Sequence, residues 1–120
     1  MDVLAEVKKR VVFLDGAMGS ELIRHGFRSE TCPEEWNISH PDVIARIHAQ
    51  YLAAGADIIQ TNTFGGTAAK LGHFGLQDRV AELNTVAARI AGEVRDREAP
   101  ECLVAGDIGP SGKFLKPMGE

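Results

Sequence analysis

The chain has 120 residues, 44% hydrophobic and 25% charged, with a formal net charge of −4; this is the make-up of one ordinary globular domain over 1–120, and its scattered basic residues exclude a nucleic-acid partner. Apolar runs such as Val11-Val12-Phe13-Leu14 fall far below the roughly 20 residues of a membrane span. The mixed-charge stretch from Met1 to Arg10 lacks the apolar core of a secretory signal, so the expected setting is cytoplasmic with no membrane partner.

Asp2 is placed to cap a short helix over Val3 to Lys9, with Val3, Leu4 and Val7 on one face covering an end of the core. Val11 to Leu14 is β-branched and aromatic, apolar on both faces and halted by Asp15-Gly16, the pattern of a buried parallel strand. Ala17 to Ser20 then turns the chain into a helix over Ser20 to Arg24, with Ser20 as hydroxyl cap and Gly26 as the stop. Phe27 to Ser39 shows no period, contains Cys32-Pro33 and the single tryptophan, Trp36, and reads as an irregular ordered excursion over the strand ends.

Pro41 suits a first helical residue, and Val43, Ile44, Ile47, Tyr51 and Leu52 form an apolar stripe that ends at Gly55. Asp57 to Gln60 is the second strand, running into Thr61-Asn62-Thr63 and the pair Gly65-Gly66. A broken helical stretch from Thr67 to His73 follows. From Asp78 to about Arg97, Val80, Leu83, Ala87, Ile90, Ala91 and Val94 repeat at three and four residues, a strong helical signal. Cys102 to Ala105 is the third strand, opening into Gly106-Asp107-Ile108-Gly109-Pro110.

Helices alternating with short apolar strands specify an α/β fold with parallel strands and helical crossovers. Leu14 to Gln60 and Gln60 to Gly106 are equal intervals of 46 positions. Eight such units need on the order of 370 residues, the size of a (β/α)8 barrel with insertions, so the chain holds about three βα units.

In parallel α/β folds the loops after the strands meet at one pole, where chemistry is found. Here those loops each combine a carboxylate or amide with glycine. Asp15 is suited to a substrate ammonium, and the amides from Gly16 to Gly19, entering a helix, to a substrate carboxylate, so together they suit an α-amino acid. The same residue types also serve as caps and turn formers, which leaves a purely structural role open for each. The glycine loops match neither phosphate-binding pattern. Cys32, Cys102 and the four histidines, His25, His40, His48 and His73, show no metal-ligand or disulfide spacing. Cys102, at the start of a strand, reads as a buried structural thiol, and His48 as a packed or solvated helix residue.

The runs VVFLDGAMGSEL, NISHPDVIARIHAQYLAAGADIIQTNTFGG, KLGHFGLQDRV and VAGDIGPSGKFLKPMGE resemble the N-terminal part of the homocysteine S-methyltransferase domain. The likeness is closest to the homocysteine-binding module of cobalamin-dependent methionine synthases, relatives of betaine–homocysteine methyltransferase. It implies a (β/α)8 TIM barrel that moves a methyl group to the homocysteine sulfur, with zinc held by cysteine thiolates and a methyl carrier such as methylcobalamin as donor. It also implies that Asp15 contacts the homocysteine amino group, that Gly16, Ala17 and Met18 form the adjoining loop, and that Asn62, Thr63 and Asp107 lie at strand ends near the pocket. Neither Cys32 nor Cys102 matches the family's zinc cysteines, which are expected beyond the end of this chain, so no metal ligand and no catalytic residue is assigned here. Two other readings stay open: a non-catalytic half-barrel that binds a partner or self-associates through open sheet edges, and a zinc-free barrel enzyme acting on an amino or carboxylic acid.

Overall fold

The computed structural model describes residues 1–119. Its elements are α1 (Val3–Glu6), α2 (Gly19–Arg24), a 3-10 turn at Pro33–Glu35, α3 (Trp36–Ser39), α4 (Pro41–Ala53), β1 (Ile58–Gln60), α5 (Ala68–Leu71), 3-10 turns at Gly72–Phe74 and Gln77–Arg79, α6 (Val80–Glu98) and β2 (Leu103–Ala105). β1 and β2 pair in parallel, Ile58 opposite Leu103 and Gln60 opposite Ala105, and the intervening chain containing α6 connects them. This is a mixed α/β unit on a two-stranded parallel sheet. Among the described residues no helix is long and apolar enough to cross a membrane.

The two long helices form because their apolar residues fall on one face. Ile44, Ile47, His48 and Leu52 are buried along α4, and Leu83, Ala87, Ile90, Ala91 and Val94 along α6. Ile44, Ile47 and Leu52 of α4 and Ile90, Ala91 and Val94 of α6 cluster with Ile59, which has no exposed surface, and with Leu22, Phe27 and Trp36, while Leu83 packs with Cys32 and Leu71 in a second cluster. Each fully buried Leu or Ile contributes about 1.5–3 kcal/mol relative to exposure. Pro41 opens α4, and Gly55, at φ +104°, turns the chain away after it in a conformation other residues rarely adopt.

Four expectations are corrected. Val11 to Leu14 is not a buried strand: only Leu14 forms a parallel bridge, to Ile58, and Val11, Phe13 and Leu14 are 69%, 59% and 58% exposed. The segment does lie in register beside β1, with Asp15 N–H donating to Ile58 O at 2.9 Å and Ile58 N–H to Phe13 O at 3.1 Å. Nothing in residues 1–119 covers its outer side. The first helix stops at Glu6 and buries no residue, and Leu4 is 76% exposed, although Asp2 caps it as expected by accepting from Ala5 N–H at 3.2 Å. Ser20 sits inside α2 and does not cap it; the cap position is Met18, without a side-chain bond. The stretch from 27 to 39 is not irregular throughout, since Pro33 starts a 3-10 turn that continues directly into α3.

Side chains fasten the first segment where the ladder does not. Arg10 meets Asp57 with two nitrogens, Nη1 to Oδ2 and Nη2 to Oδ1, each at 3.0 Å, and Asp57 Oδ2 also accepts the Phe13 N–H at 2.9 Å. The guanidinium, with help from that amide, holds the Asp57 carboxyl below the usual carboxylate range.

Candidate functional site

A cavity of about 480 Å³ opens at the C-terminal ends of the strands. Residues 15–19 wall one side, Pro33 and Glu34 another, and Gln60, Thr61, Asn62, Phe64 and Asp107 the rest. The ionisable side chains in this wall are Asp15, Glu34 and Asp107, with no Lys, Arg or His among them. Three carboxylates and no cation set a negative field that favours a ligand carrying a positive group.

The first loop is held from two directions. Asp15 Oδ2 accepts the Gln60 backbone N–H and Oδ1 accepts Gln60 Nε2, both at 3.0 Å. From below, Tyr51 on α4 donates its hydroxyl to Ala17 O at 2.7 Å. Burial, with the charges of Glu21 and Asp15 adding, pushes the Tyr51 phenol up, so it remains a donor. Gly16 lies so close to this ring that an added Cβ would be 2.8 Å from the Tyr51 hydroxyl. The peptide planes from Gly16 to Met18 are thereby set at the cavity wall, leading into α2.

The second loop is locked to α3 and to the third loop. Asn37 is fully buried and pairs with Asn62: Asn62 Nδ2 donates to Asn37 Oδ1 at 3.0 Å and to Pro33 O at 2.9 Å, while Asn37 Nδ2 donates to Asn62 O at 3.0 Å. Both hydrogens of the Asn62 amide are therefore spent on the protein. Thr63 Oγ1 donates to Asp107 O at 2.6 Å, Thr61 Oγ1 lies 2.7 Å from Thr63 Oγ1, and Asp107 N–H donates to Thr61 Oγ1 at 3.1 Å. Gly109 fits only because it lacks a Cβ, which would run into the Phe64 carbonyl.

Of the residues singled out from sequence, Asp15, Gly16, Ala17, Met18, Asn62 and Asp107 line one cavity. Thr63 is buried behind the wall and its hydroxyl is committed to Asp107 O. Glu34, Gln60 and Phe64 were not anticipated. Glu34 is 3% exposed, accepts the Gly65 N–H, and takes the Cys32 thiol at 3.4 Å. Its one sequence signal is its place just after Cys32-Pro33, in the excursion over the strand ends. Burial pushes the Cys32 thiol up. Trp36 does not wall the cavity; it stacks on His40 at 3.9 Å and meets Phe27 edge-on at 5.5 Å.

His48 lies on the buried face of α4, fully enclosed, and neither ring nitrogen has a hydrogen-bond partner among the described residues. Burial lowers its pKa to about 4, only partly offset by the Asp15 charge. Among the described residues no group of three or more His, Cys, Asp or Glu could hold a metal ion.

Comparison with known proteins supplies the context for this cavity. Methionine synthases of Mycobacterium leprae and Mycobacterium tuberculosis are each 37% identical over 123 residues, covering 94% of this chain and 10% of their own length. The chain thus spans about a tenth of these curated relatives. Two crystal structures of the homocysteine methyltransferase MmuM from Escherichia coli superpose closely. The metallated form has a TM-score of 0.76 at 29% identity and the oxidised form 0.78 at 28%, covering 90% and 92% of this chain and 41% of MmuM. The family profile described as homocysteine S-methyltransferase matches residues 12–120. The chain belongs to the homocysteine S-methyltransferase family.

Proposed function

We propose that residues 1–120 form the N-terminal part of a (β/α)8 barrel whose protein transfers a methyl group to the sulfur of homocysteine, giving methionine. One observation carries this reading: loops more than 40 residues apart, each bearing a motif of the family resemblance, wall a single cavity whose ionisable groups are all carboxylates. An α-amino acid fits such a wall. Its ammonium meets the carboxylate side, at Asp15, and its own carboxylate takes the Gly16 to Met18 amides at the start of α2. The parallel arrangement beside β1, with Leu14 on one side and β2 on the other, supports reading these segments as the first three strands of such a barrel.

Zinc is the metal the resemblance implies, because it holds a sulfur as thiolate at neutral pH and keeps a position open. The cysteines here do not fit that task. Cys32 donates to Glu34 and Cys102 to Ala56 O, both are buried, and no three candidate ligands converge among the described residues. The part of residues 1–119 is to bind and orient the amino-acid end of the substrate. The methyl donor of this proposal is methylcobalamin or another methyl carrier. The exposed apolar edge at Val11, Phe13 and Leu14 supports pairing with further strands, either of the same barrel or, in an isolated fragment, of a second copy.

The test is methionine formation by the full-length protein from L-homocysteine and methylcobalamin, followed by mass spectrometry. Homocysteine-dependent methionine is expected. No product with methylcobalamin, a methyl-folate, or a sulfonium or ammonium methyl donor would overturn the proposal.

A further inference from the structure

The hydrogen bonds around Asp107 have only one consistent set of directions. Thr63 has a single hydroxyl proton, and it goes to Asp107 O at 2.6 Å. The 2.7 Å contact between the threonines must then use the Thr61 proton, donated to Thr63 Oγ1. Thr61 Oγ1 in turn accepts the Asp107 N–H at 3.1 Å. The result is a closed chain that leaves the Asp107 amide nitrogen, passes through two buried hydroxyls and returns to the Asp107 carbonyl. Both threonines are 6% exposed, so water does not compete for these bonds.

The three carboxylates of the cavity wall are occupied differently. Asp15 has a Gln60 donor on each oxygen, and Glu34 is engaged by Gly65 N–H and the Cys32 thiol. Asp107 is half-buried, lines the cavity, and among the described residues has no donor on its carboxylate. Fixing both polar groups of its backbone fixes where that carboxylate starts from, without using the carboxylate itself.

We propose that Asp107 binds the substrate ammonium, and that Thr61 and Thr63 are positioning residues that hold it there through the hydroxyl chain. The proposal rests on the amino-acid reading of the cavity and deepens it by naming a second carboxylate and its support. Of the two strand-end carboxylates that line this cavity, Asp15 offers an ammonium lone pairs that are partly used and Asp107 offers a carboxylate that is free. Removing the free one weakens binding of the amine and leaves binding of the rest of the molecule unchanged.

The experiment uses the full-length protein and two ligands, L-homocysteine and 4-mercaptobutanoate, which lacks only the amino group, with dissociation constants from calorimetry and melting temperatures for every variant. Asp107→Asn is expected to weaken homocysteine about tenfold or more, the usual consequence of losing a hydrogen bond to a charged group, and to leave 4-mercaptobutanoate within twofold. Thr63→Val is expected to reproduce that selective loss with a lower melting temperature, and Thr63→Ser to restore homocysteine binding to within about twofold to threefold of wild type. Equal weakening of both ligands by Thr63→Val would make the threonines merely structural and overturn their positioning role. Unchanged homocysteine affinity in Asp107→Asn would remove Asp107 from the site, and it stands as a test even where Thr63→Val fails to fold. Wild-type protein that binds 4-mercaptobutanoate as tightly as homocysteine overturns the ammonium contact, whereas wild-type protein that binds neither overturns the amino-acid reading beneath it.

Discussion

Gln60 grips Asp15 with two donors, its backbone N–H and its side-chain amide, one on each carboxylate oxygen at 3.0 Å. The structural role of Asp15 and the binding role proposed for it are therefore joined in one side chain. In Asp15→Ala both Gln60 donors lose their acceptor. We predict a loss of stability of about 1–3 kcal/mol together with weaker homocysteine binding. Urea denaturation and calorimetry on the same full-length variant measure both. An unchanged denaturation midpoint would show that the Gln60 grip contributes nothing.

Gly16 and Tyr51 give a second prediction, in which close packing outweighs a hydrogen bond. Tyr51→Phe removes the bond to Ala17 O and should cost about 0.5–1.5 kcal/mol. Gly16→Ala places a methyl 2.8 Å from the hydroxyl and 2.9 Å from the ring, and overpacking of this kind costs about 1–3 kcal/mol. Gly16→Ala should therefore be the more damaging of the two in thermal melts. The reverse order would mean that the loop shifts freely away from the ring.

His48 makes stability depend on pH. Its folded pKa, about 4, lies below the ordinary 6.5, so above about pH 6.5 both states are neutral and the native state carries no penalty. As the pH falls through the window from about 6.5 to about 4, the unfolded state takes up a proton that the native state refuses. We predict a loss on the order of 3 kcal/mol across that window, flat below it for this group. Replacing both polar nitrogens by hydrocarbon in His48→Leu should remove that slope at little or no cost at neutral pH. Parallel denaturation curves at several pH values for wild type and variant check this; identical slopes would contradict it.

Glu34 supplies the fourth prediction. Glu34→Ala strands the Gly65 amide and should cost about 1–3 kcal/mol, whereas Glu34→Gln keeps an acceptor for it and should cost less. Cys32 is buried and its thiol is pushed up, so it should alkylate slowly in the native protein and faster in Glu34→Ala. Equal alkylation rates in wild type and Glu34→Ala would show that Glu34 does not hold this corner closed.

The long helices were legible in the sequence because α6 repeats its apolar residues at three and four positions over 19 residues and α4 over 13. Their burial follows from that pattern alone. The run Val11 to Leu14 misleads for the opposite reason: its residues state a preference for burial, and only neighbours can satisfy it. The four-residue α3 lies below the length at which a period shows, and Pro33 before it suggested extended chain. Within the site, the convergence of Asp15 and Asp107 followed from strand-end logic. The commitment of the Thr63 hydroxyl to Asp107 and the burial of Glu34 depend on contacts between distant segments, which carry no local signal.

The attachment of residues 11–14 has a further consequence. Arg10 with Asp57 holds one end and Asp15 with Gln60 the other, and a single bridge pair lies between. The segment behaves less as a member of the sheet than as a panel hung on two polar pins, with the Gly16 to Met18 wall, itself fastened by Tyr51, continuing from the upper one. Because Arg10 keeps Asp57 ionised below the usual carboxylate range, the lower pin is at full strength at neutral pH and is given up only as the pH falls through that depressed value. The upper pin is Asp15, the same side chain proposed to receive the ligand. If Asp15 receives the ligand as proposed, the carboxylate that binds a cation in the cavity is also the one that anchors the cavity's own wall, and binding is then expected to be coupled to the seating of this segment.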